Sequence, residues 1–174
     1  EQARRAASTV EIRTFERSPA QILDEFKALA RAGSAEAARI VGQALMSGTG
    51  TPVDRVQAAQ WFQRAAEGGD TEARAIWGTM LAYGMDGVRA DPPAAVRFLR
   101  QAAEAGDGPA AARLGFAYLR GHGVPASEAE SVRWFRRGAE AGVAEGQLGY
   151  GEALLFGRGG LARDEAQALQ WLQR

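Results

Sequence analysis

The chain has 174 residues, 46% of them hydrophobic and 24% charged, enough for one sizeable domain with a continuous core. Its 21 basic and 21 acidic residues cancel, so no global field draws nucleic acid or anionic lipid to it. It has no cysteine, which excludes disulfides, thiolate metal sites and a thiol nucleophile, and no apolar run approaches the ~18 residues of a membrane span.

In chain order, residues 1–17 read as an N-terminal segment in which Ala3, Ala7 and Val10 are assigned to a degenerate helix. Ser18-Pro19 is a helix start, Phe26 an apolar contact and Gly33 a helix end, so 18–33 is expected to be the second helix of a degenerate leading repeat. The next helix is expected from Ala35. Ala37, Val41 and Leu45 share a stripe on it, with Gly42 beside them. Gly48 and Gly50 then make a tight turn. A further helix is capped by Asp54, carries Trp61 and Phe62, and closes at Gly69.

The same order of features returns three times. First helices are expected to begin at Glu72, Pro109 and Glu145, with stripes Ala73–Trp77–Leu81, Ala110–Leu114–Tyr118 and Gly146–Tyr150–Leu154 around Gly78, Gly115 and Gly151. The turns fall at Gly84 and Gly87, Gly121 and Gly123, and Gly157 and Gly159. Caps follow at Asp91, Ser127 and Asp164, then the aromatics Phe98, Trp134 and Trp171 beside Leu99, Phe135 and Leu172. The alanine-rich close returns at Gly106 and Gly142. These features divide the chain into repeats at 34–69, 70–106, 107–142 and 143–174, the last without its closing motif.

Steps of 37, 36 and 37 residues between the aromatics mark units that cannot bury their apolar faces alone and must stack. Glycine inside a helix costs roughly 1 kcal/mol relative to alanine. Its return at Gly42, Gly78, Gly115 and Gly151 therefore predicts close approach of a neighbouring helix there. The four aromatics are predicted to be core.

A small residue, an apolar residue with glycine, a G-x-G turn, an Asp or Ser cap, an aromatic and an alanine-glutamate-glycine close together resemble the Sel1-like repeat family, relatives of the tetratricopeptide repeats. The resemblance covers 34–174, with 18–33 in degenerate form. It implies an all-α fold: a right-handed α/α superhelical solenoid of stacked helix-turn-helix repeats. It also implies an adaptor role without catalysis, in a bacterial cell-envelope or signalling assembly, with a periplasmic or secreted location favoured over a cytoplasmic one. A chain that begins at Glu1 and ends at Arg174 within a helical pattern is expected to be a processed or excised piece of a longer protein.

No residue set predicts chemistry. His122 is the single histidine, set in a glycine turn without a second ligand or base partner. The glycine pairs follow helices and lack a Gly-Lys-Ser/Thr continuation, so they are connectors and not phosphate loops. Glu67, Glu104 and Glu140 recur as the unit recurs, which points to capping or ion pairing. Arg133, Arg136 and Arg137 read as a solvated helix face. No catalytic, metal or cofactor site is therefore expected.

Partner recognition in such an array belongs to positions that differ between units and lie off the packing stripe. In the related tetratricopeptide architecture the first helices line the concave surface. Their off-stripe residues here are Arg39, Gln43 and Ser47; Thr79, Ala82 and Tyr83; Phe116, Leu119 and Arg120; Glu152, Leu155 and Phe156. Tyr83, Phe116, Leu119, Leu155 and Phe156 would form an apolar patch flanked by Arg120 and Glu152, of the kind that marks a partner site. The expected function is a module that binds a protein or peptide segment in this groove. Nucleic acid binding and membrane insertion are not expected, and self-association could use the open repeat ends. A structural spacer in a larger envelope or polarity protein is the alternative, and a cell-wall hydrolase ranks last for want of a nucleophile–base pair.

Overall fold

A computed structural model describes residues 17–174, and the assignment of Ala3, Ala7 and Val10 to a helix lies outside the described residues. The described residues form nine helices and no strand: α1 (Pro19–Arg31), α2 (Ala35–Ser47), α3 (Arg55–Glu67), α4 (Thr71–Tyr83), α5 (Pro92–Glu104), α6 (Gly108–Arg120), α7 (Glu128–Glu140), α8 (Ala144–Phe156) and α9 (Glu165–Leu172). Each packs on its neighbours in sequence, giving an all-α solenoid of helical repeats.

Side-chain caps start the helices where short polar residues stand. Asp54, Asp91, Ser127 and Asp164 accept from the N–H groups of Gln57, Ala94, Glu130 and Gln167, satisfying one orphan donor of each first turn. Ser18 goes further, forming a reciprocal capping box with Gln21. The first helices of the later units begin one residue before the expected positions, at Thr71, Gly108 and Ala144. The reason is local: Asp70 and Asp107 cap them, accepting at 2.7 Å from Ala73 and Ala110. Val143 holds the equivalent place in front of α8 without a side-chain cap.

The joint between units is a single residue. The N–H of Asp70 bonds the carbonyl of Ala65 while that of Gly69 bonds Ala66, which closes α3 as a Schellman turn with Gly69 at φ +102°. The carboxylate of the same Asp70 opens α4. Asp107 does the same between α5 and α6.

The helical glycines are where helices meet. A Cβ on Gly42 would stand 2.9 Å from the Phe62 ring, on Gly78 2.9 Å from Leu99, on Gly115 2.5 Å from Phe135 and on Gly151 2.8 Å from Leu172. Each first helix thus seats the second apolar residue of its own unit directly on its backbone. The second glycine of three turns does a similar job between units. A Cβ there would lie 2.6 Å from the Pro19 carbonyl carbon and oxygen (Gly50), 2.3 Å from the Pro92 oxygen (Gly123) and 2.7 Å from the Glu128 oxygen (Gly159). The turn with one extra residue is looser: Gly87 faces only Val56, at 3.3 Å, and Asp86 takes up the added residue at φ 53°, a conformation Asp tolerates.

Phe98 and Trp134 are buried, whereas Trp61 and Trp171 are only half-buried and depart from the expected core position. The helices at the two ends account for this: α1 buries Leu23 alone and α9 buries Ala168 alone, so each offers its neighbours a narrow apolar face. Arg64 lies over Trp61 and Arg174 over Trp171, covering part of the exposed rings.

Gly123 and Gly142 have nearly the same φ, +78° and +79°, but nothing lies within 4 Å of a Cβ on Gly142. Gly142→Ala is expected to cost about 1–2 kcal/mol through its left-handed backbone. Gly123→Ala should cost about 1–3 kcal/mol more, because its methyl meets Pro92. Urea unfolding of the two variants measures the difference, and equal losses would show that this turn is not seated on the preceding unit.

Candidate partner-binding surface

First helices of consecutive units share one face. A cavity of about 500 Å³ is lined by Thr79 and Tyr83 of α4, Pro109, Ala112, Arg113 and Phe116 of α6, and Val143 and Glu145 at the start of α8. Relative to the helical glycine, the α6 residues lie six, three and two positions before it and one after it, the steps of a single helical stripe.

Two further cavities share lining residues with this one. Toward α2, a cavity of about 360 Å³ is bordered by Met46, Ile76, Met80 and Met85 with the carboxylates Glu72, Asp86 and Asp107, and again by Thr79, Pro109 and Arg113. Beneath the C-terminal ends of α4 and α6, a cavity of about 380 Å³ is walled by Val96, Leu99, Phe116 and Ala117 and bordered by Tyr83, Arg113, Arg120 and His122. Arg113 borders all three.

Six of the ten partner-binding residues expected from sequence line a cavity, four of them the cavities above and two a separate depression. Thr79, Tyr83, Phe116 and Arg120 border the larger cavities. Leu119 and Glu152 join Phe116 around a small depression of about 50 Å³ next to Leu148 and Gly149. Tyr83 is 69% exposed and Leu119 40%.

Phe116 has a second role. It is half-buried and meets Phe135 edge-on, with ring centroids 4.9 Å apart, and the Arg120 guanidinium lies 5.4 Å from its centroid. Phe116 therefore takes part in the packing of α6 on α7 as well as in the cavity wall. Phe135 makes this contact because its ring sits between two glycines: a Cβ on Gly149 would come within 2.6 Å of it, as one on Gly115 would at 2.5 Å.

The other four residues fall elsewhere. Arg39 donates from Nε to Asp70 Oδ2 at 3.1 Å and pairs through a terminal nitrogen with Glu72 at 3.0 Å. Gln43 accepts from Arg39 and donates to Glu72 at 2.9 Å. This network ties α2 to the capped start of α4, so both side chains are engaged in stacking. Leu155 is half-buried against the last core segment. Phe156 is 60% exposed beneath Arg158 and borders none of the cavities above. Of the two further off-stripe residues of the first two units, Ala82 borders the cavity beneath α4 and α6, and Ser47 hydrogen-bonds Thr49 through its hydroxyl.

Sequence reasoning missed Pro109, Ala112, Arg113, Val143 and Glu145. Stepping back three and four residues from Phe116 would have reached Arg113 and Ala112, and the same step again Pro109. His122 is exposed, its Nε2 3.4 Å from the carbonyl oxygen of Ala82. Of the recurrent glutamates, Glu140 pairs with Arg136 at 2.8 Å and Glu67 accepts from Gln63.

The profile of the Sel1 repeat matches residues 35–70, 71–107, 108–143 and 144–174. No curated protein matches the chain. Among solved structures, a Sel1 repeat protein from Oxalobacter formigenes is similar over 91% of this chain, with 29% identity and a TM-score of 0.82. A protective antigen present in uropathogenic Escherichia coli strains, described as displaying an SLR fold, is similar over 86% of it, with 39% identity and a TM-score of 0.77. The matched part spans 64% of the first protein and 32% of the second.

Arg39 and Asp70 keep 17% and 13% of their side-chain surface exposed, whereas Glu72 keeps 55%. Arg39→Ala is expected to cost about 1–3 kcal/mol by leaving a largely desolvated carboxylate without its partner. Glu72→Ala should cost less than about 1 kcal/mol, since its own carboxylate is open to water and Arg39 keeps Asp70. Chemical denaturation of both variants tests whether Arg39 serves stacking.

Proposed function

For a chain that belongs to the Sel1 repeat family, with four such units stacked in an all-α solenoid, we propose the role of a non-enzymatic protein-interaction module that holds a segment of a partner along the face shared by its first helices. The observation that carries this reading is the groove over α4, α6 and α8 with Tyr83 exposed at its edge, together with exposed Leu119 on α6. Exposed aromatic and apolar side chains next to a preformed cavity are the features that anchor a partner segment. The polar first unit, with Arg39 and Gln43 engaged in stacking, directs binding toward the second to fourth units.

The module is assigned to a bacterial cell-envelope or signalling assembly. Support for this comes from the bacterial sources of both structural neighbours, one of them described as a protective antigen. Those neighbours are longer than the stretch they share with this chain, so an array of this kind can serve as one region of a larger protein.

Tyr83 makes the cleanest probe, because Phe116 also supports Phe135. Tyr83→Ala with Leu119→Ser is expected to shift unfolding free energy by no more than about 0.5 kcal/mol, as for exposed positions generally. Capture of the partner on immobilised protein should fall about tenfold or more. Undiminished capture would remove this face from the binding surface, and an array that captures nothing in its unaltered form would favour a spacer role.

A further inference from the structure

We infer that the cavity beneath the ends of α4 and α6 receives a large apolar side chain of a partner peptide whose neighbouring Asp or Glu is held by Arg113 and Arg120. This rests on the partner-binding reading above and adds the chemistry of the segment bound. The cavity holds about 380 Å³ behind walls of Val96, Leu99, Phe116 and Ala117, room for a leucine or phenylalanine side chain. Its charged border is one-sided. Arg113 and Arg120 stand there with His122, and no carboxylate borders it.

Both arginines are exposed, and among the described residues neither makes an ion pair. Arg120 lies over the Phe116 ring, which places a guanidinium at the edge of the apolar wall. A planar guanidinium presents paired N–H donors that match a carboxylate, and such charge-assisted bonds are stronger than neutral ones. An apolar side chain buried in the cavity would bring the adjoining residue of its own chain to this rim.

The groove also says where along the partner the carboxylate lies. Arg113 also borders the cavity toward α2 and the cavity toward α8. A segment that occupies both would present a side-chain carboxylate to Arg113 and not its C-terminus. The cavity toward α2 is bordered by Glu72, Asp86 and Asp107. Glu72 and Asp86 there are paired with Arg39 and Arg55, which leaves Arg113, among the described residues, as the unpaired cation of that cavity.

A random dodecapeptide library displayed on phage through its C-terminal end, so that no free carboxyl terminus is offered, tests this against the folded 174-residue chain. Enriched sequences are expected to place Asp or Glu within two residues of Leu, Ile, Met or Phe. As amidated synthetic peptides in fluorescence anisotropy, they should lose about tenfold or more in affinity to Arg113→Gln with Arg120→Gln, and also weaken on Tyr83→Ala. Circular dichroism checks that each variant stays helical. Enriched peptides without an acidic residue beside an apolar one, or with affinity unmoved by the arginine changes, overturn this inference. If they still weaken on Tyr83→Ala, the groove reading survives alone. No enrichment, or binding indifferent to Tyr83→Ala as well, overturns both.

Discussion

The seat of a large side chain on bare helix backbone is the contact from which the rest of this structure follows. Phe62, Leu99, Phe135 and Leu172 each rest where a helical glycine has no Cβ, so the two helices of a unit approach more closely than any other residue would allow. Interiors packed to crystal-like density do not absorb an extra methyl without displacement. With that distance set, the neighbouring aromatic of the second helix points to the previous unit. Trp134 lies in one core segment with Val96, Leu99 and Ala103 of α5. The glycine loses conformational entropy in a helix, and the contact it permits offsets that loss in every unit.

Variation on this contact shapes the surface. The joint into the fourth unit is built from small residues too: Gly146 of α8 stands where other units have alanine, and a Cβ on it would meet Gly138 and Ala139 of α7 at 2.5 Å. Gly149 then leaves one face of Phe135 bare of side chain, and Phe116 leans on the edge of that ring. The result is an asymmetric array. Its first unit spends polar groups on the joint to α4, while its later units leave rings and leucines at the mouth of a groove. A difference in binding along the solenoid thus arises from small residues in the packing and not only from the exposed side chains themselves.

Much of this was legible in the sequence because the unit is written four times. The caps Asp54, Asp91, Ser127 and Asp164, the helical glycines and the left-handed turn glycines could each be checked against their copies, and all stand where the pattern places them. Depth of burial at Trp61 and Trp171 was not legible, since it depends on how wide a face α1 and α9 present. The surface residues divide by the same logic. Thr79, Tyr83 and Phe116 follow from helical periodicity read forward from the glycine; Arg113 and Pro109 needed it read backward. Arg39 was beyond reach. Its partner Asp70 is a cap in the next unit, and only the joint brings the two together.

That joint also governs how such a chain could change length over evolution. The turn inside the second unit has taken in one more residue than the others, and the excess is absorbed by Asp86 and a relaxed contact at Gly87. Between units there is no such slack. At Asp70 and Asp107 one residue's N–H ends a helix while its side chain starts the next, and an insertion there would part the two functions. A single added residue is thus absorbed more easily in the turn within a unit than at these joints, which favours growth or loss of the array by whole units.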